Sequence, residues 1–360
     1  MKVLMISPLT GVVGGISVWT RNVLAYFQKR NDIELDLFDF ARTRTGQMVP
    51  NRFKRIFLAV CDYSILTIRA IRYARRYDGE VIHLCSSASY LLVRDYAILR
   101  CLQRNKRAKT CIHFHFGRIP ELAMSHNWEW KLLKKVINLA DEVIVMDKRS
   151  YDTLSANKVD RVCLLPNPLS ESVAQMIESV EEVRNERLVL FAGHCIQTKG
   201  VCELVSACRQ IPDIKLRLVG SISQDMRKKL YEMASEDFTW LEIKGQIPHL
   251  DTIREMKSCD MFVLPTYTEG FPNVIIEAMA CGCPIVASAV GAIPEMLAEE
   301  DGKHFGQLIR AKDPDQLRLA IERYLNDPEF KFECASNAQR RVNERYNIER
   351  VGQQLSHIWR

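Results

Sequence analysis

The sequence predicts an α/β protein built from two doubly wound, mostly parallel sheets. Strand-like apolar runs alternate with helical patterns along the whole chain, as expected when helices cover both faces of a parallel sheet. The 360 residues are long for one domain and suit two. A polar, acidic stretch at residues 171–186 interrupts the pattern, and no strand resumes until Leu188. The expected division is therefore 1–170, a linker at 171–186, a second unit at 187–345 and a helical tail at 346–360.

The first half offers strands near 2–6, 33–38, 80–84, 109–115, 142–146 and 161–165. The second offers them near 187–192, 214–219, 239–243, 260–264, 284–287 and 306–309. Met1 to Ser7 carries one charge and stops at Pro8, so it reads as a buried first strand rather than a signal peptide. Gly11-Val12-Val13-Gly14-Gly15 follows it and opens a helix. These glycines suit either a plain tight turn or a close approach of backbone to an anion. Their spacing is not G-x-G-x-x-G, which argues against a dinucleotide-dependent dehydrogenase.

Residues 53–76 form one long helical pattern, with Phe53, Phe57, Val60, Ser64, Ile68 and Ile71 roughly on one stripe. Residues 52–76 hold seven basic side chains and one acid, a balance of +6 that equals the net charge of the whole chain. Two readings fit: a core-packed helix with a solvated basic face, or a helix lying on an anionic membrane surface. No nucleic-acid-binding motif accompanies it. No run of about 20 uncharged apolar residues is present, so no spanning helix is expected. The 12 cysteines include no C-x-x-C pair and lie mostly in apolar runs, the pattern of reduced core thiols in a cytoplasmic protein. Cys281 and Cys283 have no histidine near in sequence, so no metal is expected there.

His113 and His115 close the fourth strand and share a face by strand alternation. Ligand contact and core packing both suit them. In the second half, Lys199-Gly200 follows the strand that ends in Gly193-His194, and Lys244-Gly245-Gln246-Ile247-Pro248 follows a later strand. The densest signal is Thr268-Glu269-Gly270-Phe271-Pro272-Asn273 with Glu277. A loop carboxylate, Glu269, precedes a helix beginning near Asn273, and Glu277 sits in its first turns. Free backbone N–H groups at residues 271–274 and the positive end of the helix dipole make an anion site. A carboxylate accepts two hydroxyl hydrogen bonds and so fits a ribose diol. Sugar, diphosphate and ribose in a row describe a nucleotide sugar. Spacing alone equally suits a buried helix with two solvated carboxylates.

The stretch Glu269 to Glu277, with its flanks Ser258 to Pro265 and Ala280 to Glu295, resembles the E-x7-E motif of retaining glycosyltransferases of family 4. That resemblance implies the GT-B fold, two facing Rossmann-like domains with a cleft between them. It also implies a last helix that crosses back to the first domain. It places Gly15, supported by Gly14, at the donor diphosphate, and a hydrogen bond from His115 at the sugar or diphosphate, with His113 as the alternative. Lys199 and the residue at position 194 would neutralise the diphosphate. The family has an arginine there, where this chain has His194, a weaker phosphate ligand. Ile247 would line the base, Glu277 would hold the ribose, and Glu269 with Gly270, Phe271, Pro272, Asn273 and Val274 would grip sugar and phosphates. The expected catalytic residues are Glu269, His115 and Lys199, with no metal or other cofactor. The expected donor is a UDP-sugar, and the acceptor a saccharide or lipid-linked saccharide in polysaccharide synthesis. The expected location is the cytoplasm, at the inner membrane face through residues 52–76. The alternatives are a nucleotide-sugar 2-epimerase, a phosphorylase of the same architecture, or a nucleotide-sugar-binding subunit without turnover, which the His194 departure favours.

Overall fold

The computed structural model describes residues 1–10, 14–41, 52–104, 107–235 and 238–360. The chain divides into two compact units, one of Met1–Pro168 with Ile348–Arg360, the other of Leu169–Asn347.

The first unit carries six parallel strands: β1 (Lys2–Ser7), β2 (Glu34–Asp39), β3 (Val81–Ser86), β4 (Lys109–Phe114), β5 (Glu142–Val145) and β6 (Val162–Leu164), in the order β2-β1-β3-β4-β5-β6. Alternate residues of β1 enter different cores. Leu4 and Ile6 join Leu84, Ile112, Phe114, Val143 and Val145, while Val3 and Met5 join Val81, Cys85, Cys111 and Ile144 on the opposite face. Burial on both faces is why β1, β3 and β5 run largely apolar, whereas the edge strand β2 is only partly buried and alternates through Glu34 and Asp36. The helix Gly15–Phe27 and the last helix, Ile348–Trp359, cover the second face. They contribute Trp19, Val23, Phe27, Val351, Leu355 and Trp359 to it.

The helix Arg52–Arg76 covers the first face with Leu66, Ala70 and Ala74, Tyr77 just past its end joins them, and Tyr63 packs beside them. This corrects the expected stripe. Val60, Ser64 and Ile68 are exposed, and of the expected stripe's described side chains Ile71 alone packs against this core, which the helix meets along Leu66, Ala70 and Ala74 instead. Phe53 and Phe57 lie outside the described side chains.

The second unit also holds six parallel strands: β7 (Leu188–Ala192), β8 (Lys215–Val219), β9 (Leu241–Gly245), β10 (Met261–Leu264), β11 (Ile285–Ser288) and β12 (Gln307–Ile309), in the order β12-β11-β10-β7-β8-β9. The order reverses at β7, between β8 and β10, and ligands of such sheets bind outside the carboxyl ends of the strands at that point. The segment expected as a linker, 171–186, is in part a helix, Glu171–Ser179, within this unit. Ser170 caps it by accepting from the Val173 N–H at 3.2 Å, and Val173 and Ile177 are its buried side chains.

The 12 cysteines are all free thiols, nine of them buried. Among the described residues, no helix is long and apolar enough to cross a membrane, and no group of three or more His, Cys, Asp or Glu side chains could hold a metal ion.

Candidate active site

In the second unit, glycines bring the strand ends together. Gly193, after β7, donates its N–H to Val219 O at 2.9 Å, and Gly220, after β8, donates to Gly245 O at 2.8 Å. Gly220 has φ +134, and a Cβ there would stand 1.8 Å from Gly193 O, so only glycine fits. The carboxyl ends of β7, β8 and β9 thus abut through backbone alone.

Five residues predicted from sequence lie after these strand ends, on the loop after β10 and on the helix that follows it. Lys199 ends a short 3₁₀ turn, Gln197–Lys199, which Gly200 closes in the left-handed region at φ +72. Its ammonium pairs with the Glu269 carboxylate. His194 Nδ1 and Ser221 Oγ share a 2.6 Å hydrogen bond. Glu277 Oε1 stands 3.2 Å from His249 Nε2. That carboxylate, with its hydrogen bond first and its charge second, holds the His249 pKa above the usual imidazole value, while burial opposes it. Ile247 is half-buried in the turn between β9 and His249.

The loop that carries Glu269 is fixed from three sides. Tyr267 donates its N–H to Thr198 O at 2.9 Å, and Ala292 donates to Gly270 O at 2.9 Å. Gly291, at φ +56, leaves room for the loop: a Cβ there would lie 2.4 Å from Glu269 O and 2.7 Å from Gly270 O. The Phe271 ring is buried, 5.7 Å from the Tyr346 ring, so only its backbone can face a ligand. The helix Asn273–Ala280 begins at Pro272 without a side-chain cap. One correction follows. Proline has no N–H, so Pro272 shapes this helix start but donates nothing, and the backbone donors are Phe271, Asn273 and Val274.

Sequence reasoning missed Ser221, His249, Tyr267 and Lys229. The Tyr267 hydroxyl donates to Glu203 at 2.5 Å, Gln197 donates to the Tyr267 hydroxyl at 3.0 Å, and Lys229 donates to Gln197 at 2.9 Å. These residues come from separate strand ends and helices. Only His249, placed just after the Ile247 turn, carried a readable signal.

In the first unit, Gly14 caps the helix Gly15–Phe27, and its N–H donates to Ser17 Oγ at 3.1 Å. A Cβ on Gly15 would meet nothing within 4 Å, so packing does not demand glycine there. Gly11, Val12 and Val13 lie outside the described residues. His115, just past β4, and His113, within it, have ring centroids 3.9 Å apart. His113 is fully enclosed and His115 is half-buried, its Nε2 atom enclosed as well. A third imidazole, His83 of β3, joins them, and Trp19 touches all three rings. Trp359 donates its indole N–H to His83 Nδ1 at 3.1 Å. Burial pushes His83 and His115 each down to about 3 and His113 well below the ordinary value, so all three are neutral at physiological pH.

Two parallel six-stranded sheets flanked by helices, with two carboxylates near the switch point of the second, make a two-domain Rossmann-like architecture of the GT-B kind. Residues 173–341 match the family described as Glycosyl transferases group 1. The putative teichuronic acid biosynthesis glycosyltransferase TuaC of Bacillus subtilis is 28% identical over 72% of this chain and 73% of its own. The phosphatidyl-myo-inositol mannosyltransferase of Mycolicibacterium smegmatis is 30% identical over 49% of this chain, which spans only 45% of that relative. Among solved structures, sucrose-phosphate synthase of Thermosynechococcus elongatus superposes with a TM-score of 0.77 at 22% identity, over 99% of this chain and 98% of that one. Anabaena HepE in complex with UDP superposes with a TM-score of 0.73 at 20% identity, over 99% of both chains. These matches support a group 1 glycosyltransferase with the GT-B fold.

Proposed function

We propose that this protein is a retaining glycosyltransferase of family 4. It moves a sugar from a nucleotide-diphosphate donor, preferably a UDP-sugar, to a saccharide or lipid-linked saccharide in cell-surface polysaccharide synthesis. It works in the cytoplasm against the inner membrane face and needs no metal. The observation that carries this reading is the Lys199–Glu269 pair beside the uncapped helix start that also bears Glu277. The naming of TuaC for teichuronic acid synthesis and the UDP in the HepE structure add to it.

Negative charge develops on the departing nucleoside diphosphate, so fixed donors aimed at it lower the barrier. Lys199 and the N–H groups of Asn273 and Val274 fill that role, with His194 as a weaker partner. Glu277, oriented by His249, accepts the ribose hydroxyls. Glu269 holds the sugar, and its pairing with Lys199 keeps both side chains in place until the donor diphosphate competes for the ammonium. Gly15 leaves open space for a diphosphate, and His115 offers a neutral imidazole to a sugar hydroxyl.

The test is calorimetric binding of UDP-, GDP- and ADP-sugars, with slow release of nucleoside diphosphate as the second readout. A UDP-sugar is expected to bind. Glu277→Ala abolishes that binding, whereas Glu269→Ala retains it and loses release. No donor bound by folded protein, or both variants behaving as wild type, overturns the assignment.

A further inference from the structure

Tyr90 and Trp128 are large aromatic side chains left in solvent, 82% and 51% exposed. Their rings stack, with centroids 5.5 Å apart and planes inclined by 30°. Tyr90 stands at the cap position of the helix Leu91–Gln103, and Trp128 is the first residue of the helix Trp128–Ile137. Helix caps favour Ser, Thr, Asn or Asp, and Tyr90 makes no capping bond, so helix formation does not account for it. Val93, one turn along from Tyr90, is exposed as well.

The rings belong to the loops at the carboxyl ends of β3 and β4. The His115 N–H donates to Ser86 O, the end of β3, at 2.8 Å. Tyr90 follows shortly after Ser86, and Arg118 shortly after His115. The aromatic pair therefore shares its loops with His115, on the edge of the sheet where ligands of such folds bind.

The loop that bears Tyr90 is held in a disfavoured conformation. Ala88 and Ser89 are both left-handed, at φ +69 and +57. Glu129, buried and next to Trp128, accepts from the Ser89 N–H at 2.8 Å and from Ser89 Oγ at 3.2 Å. Arg118 donates to the same carboxylate oxygen at 3.1 Å. One carboxylate on the helix of one ring thus fixes the loop of the other. Strain maintained by its surroundings points to a site, and rings fixed in advance lose little freedom on binding. Glu129 also neutralises Arg118, which favours an uncharged ligand over an anion.

A sugar ring has the matching chemistry. One face of a hexopyranose presents C–H groups, and its hydroxyls surround the rim. The C–H groups lie against the electron-rich face of an aromatic ring while the hydroxyls keep their water.

We propose that the Tyr90–Trp128 pair is a stacking platform for an uncharged hexopyranose unit of the acceptor. The proposal rests on the glycosyltransferase reading above, and it makes these two rings the residues that select the acceptor.

The experiment is saturation-transfer NMR of the full chain with the methyl glycosides of glucose, galactose, mannose and N-acetylglucosamine. UDP binding is measured by calorimetry and mass by sedimentation on the same preparations. At least one glycoside is expected to take up saturation, most strongly at the C–H groups of a single face. Trp128→Ala and Tyr90→Ala should each weaken that binding about tenfold, the scale of one aromatic contact. Trp128→Phe should keep most of it. Phe332→Ala, which removes an exposed aromatic side chain from the second unit, should bind as wild type. UDP binding and thermal melting stay unchanged in all of them.

Four results overturn the proposal: no saturation transfer to any of the four glycosides, equal binding by wild type and both alanine variants, a loss in Phe332→Ala as large as theirs, or a dimer that Trp128→Ala converts to monomer, which would make the pair a contact between copies. Glycoside binding lost with UDP binding intact removes the platform alone. UDP binding lost with glycoside binding intact counts against the donor site and leaves the platform standing.

Discussion

Gly291→Ala tests whether the position of the Glu269 loop matters to turnover. A methyl group at Gly291 would lie 2.4 Å from Glu269 O and 2.7 Å from Gly270 O, and the residue already has φ +56. The left-handed conformation costs alanine about 1–2 kcal/mol. The overlap is with backbone, so the loop must withdraw by roughly 1 Å to regain ordinary contact, at about 1–3 kcal/mol more. The total is about 2–5 kcal/mol of stability, visible in denaturant unfolding. The same displacement carries Glu269 and the donors of the helix start away from the diphosphate, and a shift of that size slows turnover about a hundredfold. Gly302→Ala is the control. Gly302 has φ +72 with nothing within 4 Å of a new Cβ, so it bears the conformational strain without touching the loop. Gly302→Ala should lose about 1–2 kcal/mol and release nucleoside diphosphate at the wild-type rate. Equal release rates in the two variants would refute the reasoning.

Three further outcomes are expected. The neutral imidazoles of His83, His113 and His115 refuse protons that the unfolded chain accepts below its ordinary histidine pKa of 6.5. Stability is therefore full above that pH and falls as pH drops below it, by about 1.4 kcal/mol per pH unit per histidine, or roughly 4 for the three. Urea unfolding at stepped pH reads the slope, and His83→Asn should reduce it by about a third. His249 works in the opposite sense. Its folded pKa is raised, so its small contribution is present below 6.5 and disappears as pH rises through the folded value. Because its side chain is 45% exposed, the wild-type advantage over His249→Asn should be only a few tenths of a kcal/mol at pH 6 and shrink as pH rises, as differential melting would report. Trp359→Ala removes a fully buried indole and should cost about 3–5 kcal/mol, measured by urea unfolding.

The strands were readable because both faces of each sheet are buried, which leaves continuous apolar runs with polar breaks. Sheet order was less readable, since strand runs record burial but not which neighbour a crossover selects. The 171–186 stretch misled because its surface is acidic. The cap Ser170 and the apolar pair Val173 and Ile177 were the helix signal. The stripe on Arg52–Arg76 misled for the converse reason: large apolar residues drew attention, whereas Ala70 and Ala74 face the sheet. At the site, Glu269, Glu277 and Lys199 were legible because local chain geometry places each one. Ser221 was not, because it meets His194 only after separate strand ends converge, and of His249 only its place after the Ile247 turn was readable, not its pairing with Glu277. The Trp359–His83 contact, between residues 276 apart in sequence, had no local trace.

That contact bears on how the protein is made. The second unit is one uninterrupted stretch, 169–347, set within the first. A ribosome therefore finishes it before supplying the helix that completes its predecessor. Until residues 348–360 emerge, Val3, Phe27 and His83 lack the cover that Val351, Leu355 and Trp359 provide. A fragment ending at residue 168 would carry that bare apolar face and invite aggregation, whereas 169–347 keeps a contiguous chain. Expression of the first unit alone calls for grafting its final helix back on, or for a circular permutant that opens elsewhere.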